Sequence, residues 1–266
     1  MFRLTREVRF AINAADDRPL DRPPTNSYAG YPSLNGLGHY FTLAVTLAGD
    51  LNPDSHYLEN IKQIDQTVRQ LAIPLFDHTI RHNPSHFGAP MLAEIFDLLQ
   101  NAWPPAKLNS LSLSLSPFLS LSLHATERPM TRLSQKFEFA ASHRLHNPVL
   151  SDEQNRATFG KCNNPHGHGH NYELQVTLLG APADATALLV DVPAFEQIVA
   201  QTVIDRFDHK NLNVQVPEFA NEIPSVENIA RVIYHLLKTK FQSTASRLAS
   251  VTVWETPKTW CEYSED

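Results

Sequence analysis

Residues 165–179 read PHGHGHNYELQVTLL. In an extended chain, residues two apart point to the same side. His166, His168 and His170 therefore line up with Tyr172, Leu174, Val176 and Leu178, while Asn171, Glu173, Gln175 and Thr177 face the other way. The pattern predicts a half-buried strand with imidazoles at one end of its apolar face. The same strand occurs earlier in the chain. GHYFTLAVTLAGDLN from Gly38 reads against GHNYELQVTLLGAPA from Gly169, and Phe76-Asp77-His78 reads against Phe207-Asp208-His209 at the same spacing. Upstream, VRFAINAA from Val8 resembles FEFAASHR from Phe137, and Pro117 corresponds to Pro257. Four blocks in one order predict an internal duplication, with one domain over 1–127 and a second over 128–266.

Working outward, the second copy offers strands over 132–143 and 169–179 and a helical region in DVPAFEQIVAQTVIDRF, with Phe195, Ile198, Val199, Thr202 and Val203 on one side. A second helix follows Ser225, a predicted N-cap, with Ile229, Val232, Ile233 and Leu236 at helical spacing. RLASVTVWET and TWCEY close the copy as strands. The order strand, strand, helix, helix, strand, strand defines an α+β class. In the first copy, every leucine from Leu111 to Leu123 falls on an odd position, alternating with serine. That tract reads as a strand pair, not as low complexity.

The composition narrows the function. The net charge of −6 and the scattered basic residues leave no footprint for nucleic acid. No stretch reaches the length of a membrane span, and MFRLTREVRF lacks the apolar run of a signal peptide. Two cysteines in 266 residues exclude a disulfide framework, so a reducing cytoplasm is expected.

What remains is the chemistry of the histidines. His168 and His170, two apart on a strand, can reach one cation, and His143 lies on the face of Phe137, Phe139 and Ala141 on the preceding strand. Three histidines with an open fourth position make a catalytic zinc site, against the alternative of a histidine-rich surface loop. Cys162 stands on the approach to these residues, either as a base near a cation or as a small buried hydrophobe. Asp208-His209 places a carboxylate beside an imidazole, a pair found both in catalytic dyads and at helix ends. Glu255 alternates with Val251 and Val253, and a carboxylate on an apolar face requires a cation or N–H donors as partners.

FAASHRLHNPVLSDEQNRATFGKCNNPHGHGHNY, FDHKNLN, PSVENIA and VTVWETP together closely resemble the 6-pyruvoyl-tetrahydropterin synthase family, which includes the bacterial 6-carboxytetrahydropterin synthases. The resemblance runs from about Gln135 to the C-terminus. It implies a tunnelling fold: an antiparallel four-stranded sheet with two helices on one face, oligomerising into a barrel. It also implies 7,8-dihydroneopterin triphosphate as substrate, and Zn2+ held by His143, His168 and His170, with His166 a bystander. On the same basis, Cys162, Asp208 and His209 are the catalytic residues and Glu255 the pterin anchor. Five residues separate Cys162 from His168, a spacing that favours the pyruvoyl over the carboxy product. A non-catalytic pterin- or metal-binding barrel protein is the rival reading. A purely structural zinc site is set aside, since the sequence suggests no fourth ligand.

The first copy is expected to fold like the second without its chemistry. Ala14 stands for His143, Leu37 for His168, about Tyr31 for Cys162 and Leu115 for Glu255, and His39 alone is retained of the three ligands. Asp77 and His78 persist, either to cap a helix or to reach a neighbouring active site, and the cap is expected. Two such units per chain would make a homotrimer equivalent to a six-unit assembly.

Overall fold

The structure is a computed structural model that describes residues 1–15, 26–181, 187–241 and 246–265. Pro182 and Ala183, at the end of the repeated block, lie outside them. The chain divides into two compact units, Met1–Leu133 with Gly180–Leu189, and Ser134–Leu179 with Val190–Asp266.

The first unit runs β1 (Phe2–Asn13), β2 (Gly38–Gly49), α1 (Ile61–His82), α2 (Ala89–Leu99), β3 (Lys107–Ser114) and β4 (Leu119–His124). Its strands lie in the order β1-β2-β3-β4, each antiparallel to the next. The leucine–serine tract folds as the expected strand pair. Leu111 faces Leu123 and Leu113 faces Leu121, and all four are fully buried while the serines between them are not. Period-2 alternation thus overrides the low-complexity look of the tract. Helix α1 packs on β1 through Phe76, whose ring meets Phe10 edge-on at 5.0 Å and Phe41 at 5.3 Å. Asp77 and His78 do not cap this helix. They lie inside it, where Asp77 pairs with Arg81 at 2.7 Å one turn on and Asn83 takes the C-cap. The helix continues past them because Ile80 to His82 keep the helical register.

The second unit runs β5 (Thr131–His143), α3 (Asp152–Phe159), β6 (His168–Gly180), α4 (Val192–Val199), α5 (Asp205–Phe207), β7 (Lys210–Asn211), α6 (Leu212–Gln215), α7 (Val226–Lys238), β8 (Ser246–Thr256) and β9 (Thr259–Tyr263). Its main strands lie in the order β5-β6-β8-β9. β5 and β6 are antiparallel, as Ser134 meets Thr177 at 2.9 Å and Lys136 meets Glu173 at 2.7 Å. Helix α7 starts at Ser225, whose hydroxyl accepts from the Asn228 amide, and packs on β8 and β9. It buries Ile229, Val232, Ile233 and Leu237. Leu236, expected on that face, is only half-buried.

The helical region before it is not one regular α-helix. A π turn at Ala200–Ile204 separates α4 from α5. Phe195, Val199, Val203 and Phe207 are all buried, at strict four-residue spacing. Four α-helical residues overshoot one turn of about 3.6 residues, so such a stripe drifts around the helix. One wider turn takes that drift back and keeps all four on the core. The result is an α+β fold in which antiparallel sheets carry helices. No helix among the described residues is long and apolar enough to cross a membrane.

Candidate active site

The odd residues of β5 face the core, which puts His143 at the end of that face, fully buried. The even residues of β6 face inward, and the strand begins at His168. His166 stays outside it in an exposed turn, where its amide donates to Asn164 Oδ1 at 3.0 Å. On β8, Val251 and Val253 are fully buried, and the pairing with β9 shifts between Trp254 and Thr256. Glu255, at this irregularity, keeps the inward face of Val251 and Val253, and its carboxylate joins the histidines.

The structure brings His143, His168, His170 and Glu255 together, with one ligand atom from each inside a 4.8 Å group. His143 Nδ1 lies 2.7 Å from the Pro224 carbonyl, which can only accept, so this nitrogen carries the proton and Nε2 is left with its lone pair. That Nε2 sits 3.1 Å from His168 Nε2 and 3.3 Å from Glu255 Oε1. His170 Nε2 is buried with no hydrogen-bond partner, its nearest carboxylate oxygen being Glu255 Oε1 at 3.5 Å. Two nitrogens bound at about 2.0–2.1 Å to a tetrahedral zinc stand roughly 3.3 Å apart. The spacing, the tautomer and the orphaned nitrogen fit a divalent cation. Tyr172, below the cluster, holds its hydroxyl 3.4 Å from both ring nitrogens of His143.

Contrary to the sequence expectation, a fourth protein donor is present, Glu255, so absence of one no longer argues against a structural metal. As expected of a carboxylate on an apolar face, Glu255 has close partners, its Oε1 lying within 3.5 Å of ring nitrogens of His143 and His170. Strand alternation showed which way Glu255 points, but not which residues it meets.

Burial pushes the His168 and His170 imidazoles below the usual histidine range, and the neighbouring imidazoles add to it against the pull of Glu255. Both stay neutral, the state a metal ligand needs. The unfolded chain takes up these protons near pH 6.5, and the folded metal-free protein only at lower pH. Just below pH 6.5 the unfolded state therefore binds more protons, and stability falls as pH falls. The metal-free protein is expected to lose Tm steadily from pH 7 to pH 5.5, with a shallower slope for His168→Gln. Equal slopes for the two proteins would contradict it.

Cys162 is outside the four-residue group, half-buried on a 3-10 turn at Gly160–Asn163 that follows α3. Ser151 and Gln154 start α3 with a reciprocal capping box. The Cys162 carbonyl accepts from the Leu145 amide at 2.9 Å, which ties this turn to the segment after β5.

Asp208 and His209 form a dyad, also apart from the cluster. Asp208 Oδ1 accepts from the Ala140 amide at 2.7 Å, and Oδ2 lies 2.8 Å from His209 Nδ1. The Ala140 amide and then the His209 ring hold this carboxyl below its ordinary range. His209 has a φ of 56°, unusual outside glycine, stabilised by its amide donating to the Ala140 carbonyl. With Nδ1 on the carboxylate, Nε2 is left free on a side chain that is 83% exposed. Parallel pairing of β7 with Ala141 and Ser142 fixes the dyad beside β5. An open depression of about 550 Å3 includes His209, Ser142, Asn211 and His170.

The corresponding positions of the first unit are differently built. The Ala14 amide donates to the Leu37 carbonyl at 2.8 Å, so backbone meets where two imidazoles meet in the second unit. Leu37 is exposed, and His39 stacks on Phe41. Among the described residues, no second group of metal-ligating side chains occurs.

A histidine–carboxylate group able to hold a metal ion thus lies on an antiparallel α+β scaffold, with a thiol and an Asp–His dyad outside it. The profile of the 6-pyruvoyl tetrahydropterin synthase family matches residues 132–266. The 6-pyruvoyl tetrahydrobiopterin synthase of Drosophila melanogaster is 36% identical over 138 residues, spanning 52% of this chain and 82% of the relative. The Homo sapiens protein of that name is 40% identical over 111 residues, spanning 42% and 77%. The 6-carboxy-5,6,7,8-tetrahydropterin synthase of Haemophilus influenzae is 30% identical, spanning 51% and 100%. Among solved structures, the 6-pyruvoyl tetrahydropterin synthase of Caenorhabditis elegans is 36% identical, spanning 52% of this chain and 97% of that one, with a TM-score of 0.49. The chain belongs to the 6-pyruvoyl tetrahydropterin synthase family, whose members are lyases.

Proposed function

We propose that the protein is a zinc-dependent lyase that converts 7,8-dihydroneopterin triphosphate to 6-pyruvoyl-tetrahydropterin with loss of triphosphate. The observation that carries this is the four-residue group with its orphaned His170 nitrogen, in a chain that also keeps Cys162, Asp208 and His209. The higher identities, 36% and 40%, are to pyruvoyl-forming relatives, against 30% for the carboxy-forming one, and the Cys162–His168 spacing points the same way. The carboxy product, made in queuosine precursor synthesis with release of acetaldehyde, is the second reading.

His143, His168 and His170 would hold the zinc, which when bound supplies Lewis-acid activation of the substrate's side-chain hydroxyls. Glu255 offers two carboxylate oxygens to the adjacent ring N–H and amino group of a pterin. Cys162 removes and returns a proton at the carbons joining ring and side chain. His209, oriented by Asp208, relays protons to and from the oxygens. No external oxidant is needed, because the ring gains the two hydrogens that the side chain loses. Two free cysteines suit the reducing cytoplasm this chemistry expects.

The position of Glu255 makes its role testable. Glu255→Gln should weaken pterin binding by tens- to hundred-fold, as loss of a charge-assisted pair costs about 2–3 kcal/mol. Zinc content should stay at the wild-type value. Calorimetry with a pterin and metal analysis on the same sample decide between an anchor and a fourth ligand. Loss of zinc with unchanged pterin affinity would make Glu255 a ligand.

The first unit, in this reading, is a non-catalytic duplicate that completes the assembly. β1 and β9 are end strands of their sheets, and unpaired strand edges favour pairing with another chain. A homotrimer would supply six units. A mass measurement showing a stable monomer would contradict this.

A further inference from the structure

Arg144 follows the buried ligand His143 and has no carboxylate partner among the described residues, although it is part-buried. Its Nε donates instead to Asn163, at 3.2 Å from the carbonyl and 3.1 Å from Oδ1. Asn163, itself buried, is the residue after Cys162, and its Oδ1 also lies 3.1 Å from His146 Nδ1. The backbone of Arg144 is held from a third direction. Asn213 Oδ1 accepts from the Arg144 amide at 2.7 Å, and Asn213 Nδ2 donates to the Arg144 carbonyl at 3.0 Å. Asn213 stands just beyond the Asp208–His209 dyad. One residue thus joins the end of β5, the thiol turn and the short helix α6 beyond the dyad.

The chain between Cys162 and His168 is fitted to the same point. Asn164 turns it by accepting from the His166 amide, and the Gly167 amide closes on the Asn164 carbonyl at 2.9 Å. Gly167 has a φ of 73°, and a Cβ there would come 3.0 Å from the His143 carbonyl, so only glycine passes without displacement. The connection is anchored at its Cys162 end by Arg144 and at its His168 end by close approach to His143.

We propose that Arg144 is a positioning residue for Cys162, its guanidinium clamping Asn163 so that the thiol keeps a fixed place relative to the three histidines. The proposal rests on Cys162 being the group that moves the proton. Arginine suits this role because its planar guanidinium fixes the direction of the Nε–H that reaches Asn163, a donor lysine lacks at that position.

The test uses the full-length, zinc-loaded protein. Arg144→Ala and Asn163→Ala should each lower kcat by about 10- to 100-fold, the range for loss of a hydrogen bond to a charged group. KM should change less than about threefold and zinc content not at all. The double variant should lose clearly less than the product of the two single losses, because both remove the Nε–Oδ1 contact. Asn163→Asp keeps the acceptor and should recover at least about tenfold over Asn163→Ala. Hydrogen exchange gives a readout independent of turnover. The Leu145 amide, which donates to Cys162, should exchange at least about tenfold faster in both alanine variants, with the Val176 amide of β6 unchanged. Unchanged Leu145 exchange in Arg144→Ala, a multiplicative loss in the double variant, or loss of zinc would each overturn the clamp. A wild-type protein that does not turn over the pterin would instead sink the lyase reading, while the exchange rates would still decide whether Arg144 holds the turn. If Arg144→Ala does not fold, Arg144→Lys, which has no donor at the Nε position, takes its place: slowed turnover with faster Leu145 exchange supports the clamp, and wild-type behaviour in both overturns it.

Discussion

Cys162→Ala is expected to lose about a thousandfold or more in kcat while keeping its zinc. A positioned acid–base group contributes roughly 10²- to 10⁴-fold, and in the proposed reaction one thiol would serve more than one proton transfer, which places the loss toward the upper end. Zinc should stay because Cys162 is not among the side chains that converge on the site. The substitution removes a half-buried side chain from a short turn, so the fold has little to lose. Single-turnover kinetics and metal analysis on one preparation check both parts. Loss of zinc together with activity would make the thiol a ligand and overturn the assignment.

His168→Ala is expected to abolish both zinc binding and turnover. Loss of a mere outer-shell partner lowers metal affinity by about 10- to 100-fold, and loss of one of three direct ligands should exceed that. His168 is the better choice than His143, whose removal would also leave a cavity and an unmatched Pro224 carbonyl. The intact protein should hold one zinc per chain, and His39→Ala should still hold one. Two zinc ions per chain would contradict the reading of the first unit as degenerate. Full zinc occupancy in His168→Ala would contradict the ligand set.

Much of this site was legible in the residues because it is built on strands. Period-2 alternation placed His168 and His170 on one face, His143 on the core face of its own strand, and Glu255 beside Val251 and Val253. It could not show that Glu255 would approach the histidines, since that depends on β8 lying next to β6 in the sheet. The π turn at 200–204 had a signal, four apolar residues at unbroken four-residue spacing, which departs from the mixed spacing of a regular helix. Helix α3 had one too, in the serine and glutamine of its capping box at Ser151 and Gln154. Asp77-His78 misled because identical residues sit in different backbones. The second unit ends its helix at Asp208 and turns His209 into positive φ, while the first unit continues its helix to His82. The contacts of Arg144 with Asn163 and Asn213 join three separate segments, and no local pattern announces them.

The decisive experiment is to incubate the zinc-loaded protein with 7,8-dihydroneopterin triphosphate and identify the pterin product by mass. The expected products are 6-pyruvoyl-tetrahydropterin and one equivalent of inorganic triphosphate. Unchanged substrate would contradict an enzyme of this kind, and 6-carboxytetrahydropterin with acetaldehyde would contradict the pyruvoyl assignment.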